Sequence, residues 1–88
     1  MVNPATEREA AVAAEILRIA RDELRLEALP APGEAIAASL DSLALLSLVV
    51  AVEDRFRVIL TEEDAAVTRT LDDLARLVAS RASPEVLP

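Results

Sequence analysis

The run Asp41-Ser42-Leu43-Ala44-Leu45-Leu46-Ser47-Leu48-Val49-Val50-Ala51-Val52-Glu53-Asp54-Arg55-Phe56 decides the fold. It holds no Gly or Pro, and its apolar residues recur at helical rather than alternating spacing, which predicts a helix from about Ser42 to Arg55 or Phe56. Asp41 stands where an N-cap belongs, with a carboxylate able to accept from a free N–H of the first turn. At about 100° per residue, Leu45, Leu48, Val49, Val52 and Phe56 form one stripe, sufficient to face the core of a small bundle. Leu43, Leu46 and Val50 form a second stripe roughly 140° away, with Ser47 and Asp54 beyond it. That second stripe either packs on other helices of the same domain or is an exposed docking strip for other proteins. Ser42 lies angularly between the two.

On the N-terminal side, the stretch from Thr6 to about Leu26 has no breakers, and Val12, Ile16, Ile19, Ala20 and Leu24 recur at helical spacing. Thr6 and Glu9 have capping-box spacing, so Thr6 is the expected N-cap of a first helix. Residues 28–39 hold Pro30, Pro32 and Gly33 and read as one long ordered loop pinned by Leu29 and Ile36. Downstream, Thr61-Glu62-Glu63-Asp64 opens a brief helical turn through Val67, with Thr61 as cap and acids at the favourable end of the helix dipole. A last helix is expected from about Leu71 to Ser80, capped by Thr70 with Asp73, and buried through Leu71, Leu74, Leu77 and Val78. Residues 82–88 read as a frayed tail.

The expectation is therefore a single all-α domain over 1–88 with its core in about 6–80, since 88 residues suit one domain and not two. Apolar residues make up 53% of the chain, yet Phe56 is the sole aromatic, so the core is aliphatic. Sixteen acidic residues against nine arginines give a net charge of -7, which repels a phosphate backbone and argues against nucleic acid as a partner. No apolar run is long enough to span a bilayer, and Met1-Val2-Asn3-Pro4 does not resemble a secretion signal, so the expectation is a cytoplasmic monomer without membrane insertion.

The chain contains no Cys, His, Lys, Trp or Tyr. That removes thiol nucleophiles, imidazole bases, Schiff-base lysines and thiolate or imidazole metal sites together. Ser42 has no activating base, and Asp41 beside it does not replace an oriented triad, so a hydrolase nucleophile is not expected. A serine at a helix N-terminus is nonetheless a good place to attach a phosphate, because free N–H groups and the helix dipole favour the added negative charge.

Asp41-Ser42-Leu43, the helix ending Val52-Glu53-Asp54-Arg55-Phe56, Ile59-Leu60, the acidic turn and the Leu71 to Val78 helix together resemble the acyl carrier protein family of phosphopantetheine-binding carriers. The resemblance covers Thr6 to Ser80. It implies a four-helix bundle with a long loop between the first two helices and a short third helix. It also implies that Ser42 carries phosphopantetheine, donated by coenzyme A through a phosphopantetheinyl transferase. The terminal thiol of that arm carries the cargo, which fits a chain without Cys. In this family Asp41 lies near the metal and donor at the transfer step, and Leu43, Leu46 and Val50 match positions that dock partner enzymes. The chain itself is expected to be a carrier without catalytic residues, served by an acyl-loading or adenylating enzyme and by a ketosynthase or other biosynthetic enzymes.

Three features depart from carriers of fatty-acid synthesis. Ala44 and Ser47 stand where early acidic residues are usual, Ala38-Ser39-Leu40 replaces the usual preceding Gly, and Thr61 replaces a Pro. The run Asp41 to Leu46 is similar to stand-alone carriers of bacterial aromatic polyketide pathways, which implies acyl cargo in specialised metabolism. An aminoacyl or peptidyl carrier shares the fold and the modified serine, and an unmodified carrier-like interaction module remains a third reading.

Overall fold

The computed structural model describes residues 4–88, with side chains from Thr6 onward. Its elements are α1 (Pro4–Arg18), continued by a π-helical turn (Ile19–Glu23); a 3₁₀ turn (Ile36–Ala38); α2 (Ser42–Phe56); α3 (Glu62–Val67); α4 (Leu71–Arg81); and a final 3₁₀ turn (Pro84–Val86). The expected all-α, acyl-carrier-like arrangement of four helices with a short third one is present.

Val12, Ile16, Ile19 and Ala20 bury one face of the first helix, as their spacing predicts. Its start differs from the expectation. α1 begins at Pro4, a residue tolerated in a first turn because its missing N–H needs no partner there, so Thr6 lies inside the helix and is not its cap. The other end widens: Leu24 N–H donates to the Ile19 carbonyl at 3.0 Å and Leu26 N–H to Ala20 at 2.9 Å, across Arg25 at φ 54°. This wider turn underwinds the helix and lets Leu24 and Leu26 pack against the core.

α2 follows the expected bounds. The Asp41 side chain accepts from Ala44 N–H at 2.8 Å, and Leu48, Val52 and Phe56 are buried. Arg57, at φ 54°, closes the helix in the left-handed conformation usually given to Gly. Phe56, Ile16, Ile19, Leu48, Val12, Val52 and Val78 are the largest fully buried side chains, each worth about 1.5–3 kcal/mol of transfer free energy. α4 packs on α1, and α2 meets the π turn and the first 3₁₀ turn.

The predicted caps Thr61 and Thr70 both form. Thr61 and Asp64 exchange hydrogen bonds at the start of α3, as do Thr70 and Asp73 at the start of α4. The α1–α2 loop is anchored by Ile36, which is buried, and by Leu29, which packs on the core. It is more structured than a bare loop: Ile36 N–H donates to Arg69 carbonyl at 2.8 Å, and Asp72 N–H donates to Pro32 carbonyl at 3.2 Å.

The tail departs from the expected fraying. Arg55 of α2 donates Nη1 to the Val86 carbonyl at 2.6 Å, and Leu87 packs against the core, so 84–88 lie folded against the helices. Among the described residues, no helix is long and apolar enough to cross a membrane.

Candidate functional site

Ser42 is the first residue of α2, and it is exposed. Extended backbone at Asp41 (φ −75°, ψ 175°) delivers the chain to the helix, and Asp41 spends Oδ1 on the Ala44 N–H. The N–H groups of Ser42 and Leu43 belong to the first turn, where no intrahelical acceptor exists. A hydroxyl in solvent beside free N–H groups at a positive dipole end is suited to hold a phosphodiester, and nothing of the bundle needs to move to admit one. By this test the residues fit the prosthetic group.

Two surfaces flank Ser42. On one side Leu43, Leu46 and Val50 are 73%, 60% and 55% exposed, which rejects the possibility that they pack on other helices of the domain. Leu46, Ser47 and Val50 line a groove with Leu24 from the end of the first helix, and Asp54 sits in the same groove. The sequence placed Leu24 only in the core stripe. Its second role depends on the π turn, which periodicity at a fixed angle does not anticipate.

On the other side, Leu45 and Val49 are half-buried rather than fully in the core. They line a cavity of about 260 Å³ together with Ile36, Leu60, Leu74 and Leu77, edged by Thr61, Asp64 and Thr68. Leu45 is one turn along α2 from Ser42, so the cavity and the exposed strip lie on either side of the same helix start. Neither Ala44 nor Ser47 brings charge to this end of α2, and Glu53 is engaged within the molecule, accepting from Leu60 N–H at 2.8 Å.

The Arg81 guanidinium pairs with Asp64 at the cavity edge, donating to both carboxylate oxygens at 2.5 and 2.6 Å. That pairing, then the Thr61 N–H, holds the Asp64 carboxyl far below the usual carboxylate range, and Asp64 in turn raises Arg81. Sequence reading gave Asp64 only a favourable place at the helix dipole, because Arg81 is seventeen positions away and no local pattern links the two.

No curated protein and no solved structure matches the chain. The family described as "Phosphopantetheine attachment site" matches residues 10–78, which include both flanking surfaces and the start of α2. Members of this family hold covalently attached phosphopantetheine and work with a phosphopantetheinyl transferase and biosynthetic enzymes. The chain belongs to the phosphopantetheine attachment site family, and its role is that of a phosphopantetheine carrier.

Proposed function

We propose that Ser42 is the point of attachment and that the chain presents acyl thioesters to partner enzymes of a polyketide-type or other specialised pathway. The observation that carries this reading is the exposed Ser42 hydroxyl at the first position of a capped helix, inside the stretch matched by the family. The bound group supplies a terminal thiol, which holds cargo as a thioester. The chain's own residues present it. Ser42 would contribute its hydroxyl oxygen to the phosphodiester as the pyrophosphate P–O bond of coenzyme A breaks and adenosine bisphosphate leaves, its proton passing to a base of the transferase, since this chain has no His or Lys to accept it. Asp41 fixes the helix start through Ala44, and its other carboxylate oxygen would be available to help hold the metal and donor at the transfer step. Leu43, Leu46 and Val50 dock partner enzymes through apolar contact. Tethering raises the effective concentration of cargo at each active site, so docking is weak and exchangeable.

Acyl cargo is favoured over aminoacyl cargo by the apolar lining of the cavity one turn from Ser42. The test is intact mass after incubation with coenzyme A and a broad phosphopantetheinyl transferase. Wild type gains one arm and Ser42→Ala gains none; wild type left unmodified by several such enzymes ends the proposal. Acyl-loading and adenylating enzymes added to the modified protein then distinguish the cargo, and loading by adenylating enzymes alone would replace the acyl reading with an aminoacyl one.

A further inference from the structure

α3 is held to the molecule differently from the longer helices. Within Glu62–Val67 the buried residue is the carboxylate Asp64, whereas Ala65 and Ala66 are exposed and Val67 is 72% exposed. A six-residue helix is too short to persist alone, and one that buries no apolar side chain gains little from the hydrophobic effect when it docks. Its position therefore rests on polar contacts, and these converge on Asp64. Arg81, the last residue of α4, grips both Asp64 oxygens, and its Nη1 also reaches the Ile59 carbonyl at 3.2 Å, just before the turn into α3.

What α3 covers is the cavity. Leu60, Thr61, Asp64, Ala65 and Thr68 form one wall, while α2 and α4 supply Leu45, Val49, Leu74 and Leu77 opposite. None of the fully buried core side chains comes from α3, so the core stays intact if this wall moves.

We propose that Arg81 is a positioning residue that latches α3 as a lid over the cavity. The planar guanidinium meets the carboxylate with two parallel hydrogen bonds, a geometry that is either made or lost as a unit. With the latch made, α3 stands as one wall of the cavity; with it broken, α3 swings outward while α1, α2 and α4 remain packed. The inference does not rest on which residue bears the prosthetic arm, and its test needs no arm.

Amide hydrogen exchange on the full chain tests it, in wild type, Arg81→Gln, Arg81→Lys, Asp64→Asn and the double variant Arg81→Gln/Asp64→Asn. In Arg81→Gln, amides of 65–68 exchange about tenfold faster, as expected for loss of one charge-assisted pair, while buried amides of α1 and α2 keep their wild-type rates. The double variant is no faster than Asp64→Asn alone. Arg81→Lys keeps the charge without the fork and falls between wild type and Arg81→Gln, which also leaves the test readable if Arg81→Gln does not fold. Unchanged exchange at 65–68, a rise shared by every helix, or additive single effects would each overturn the latch.

Discussion

Arg55 in α2 reaches back forty residues to Glu15 in α1, donating its Nε to Glu15 Oε2 at 3.0 Å. The same guanidinium donates to the Val86 carbonyl and lies 4.8 Å from the centre of the Phe56 ring, so one side chain joins α1, α2 and the C-terminal segment. Arg18 also pairs with Glu15, and these two arginines, Arg18 foremost, lower the Glu15 carboxyl below its ordinary value. Arg55→Ala should cost about 1–2 kcal/mol in urea unfolding, through lost charged hydrogen bonds and ring contact. Carboxypeptidase should trim 84–88 faster in this variant than in wild type, and equal trimming would show that the segment is held by Leu87 alone.

Arg57 ends α2 at φ 54°, where an L side chain is strained and Gly is not. Arg57→Gly is expected to stabilise the fold by about 0.5–1 kcal/mol, a rise of several degrees in Tm for a chain of this size. Arg57→Val should lower Tm, because a β-branched residue tolerates this conformation least. Thermal unfolding of the pair decides it, and the same order of stability for both would sink the argument.

Exposure separates the proposed docking residues from core residues along one helix. Leu46→Asp and Val50→Arg should leave the circular-dichroism melt nearly unchanged and depress turnover by partner enzymes, since both positions face solvent. Leu48→Ala, two residues beyond Leu46, should cost about 2–5 kcal/mol because Leu48 is buried. Turnover retained in the first two variants would remove the strip from the docking surface.

Asp73 accepts from the N–H groups of Arg69 and Thr70 at 3.1 and 3.2 Å, and those bonds lower its carboxyl below the ordinary value. Asp64 is lowered in the same direction by Arg81. Both carboxyls titrate lower in the folded state than in the unfolded one. Their stabilisation is complete above the unfolded value of about 4, and drains away as pH falls beneath it toward the depressed folded values. The urea midpoint should therefore fall between about pH 6 and pH 3, and fall less in Asp73→Asn than in wild type. An identical pH dependence in the variant would exclude Asp73 as a contributor.

Local signals carried most of this architecture. Asp41, Thr61 and Thr70 were legible as caps because capping is a matter of three or four adjacent residues, and the buried faces of α2 and α4 followed from periodicity. Ser42 was legible as a candidate from its place at a helix start. Periodicity alone put Leu45 and Val49 in the core without revealing that the space beside them is only partly filled. The docked tail escaped because it depends on Arg55 and Val86, thirty-one positions apart, and an isolated tail ending in Pro84-Glu85-Val86-Leu87-Pro88 carries the composition of a loose end. The widened turn at Ile19–Glu23 escaped because the helix signal at those residues is the same for either winding.

The strap of hydrogen bonds from Ile36 to Arg69 and from Asp72 to Pro32 has a mechanical result for whatever hangs from the start of α2. The chain leading into Asp41 is moored to the joint between α3 and α4, so an arm attached at Ser42, as proposed, would hang from an anchored shoulder. Reach would then come from the torsions of the arm and from the tumbling of the whole bundle rather than from movement of its anchor.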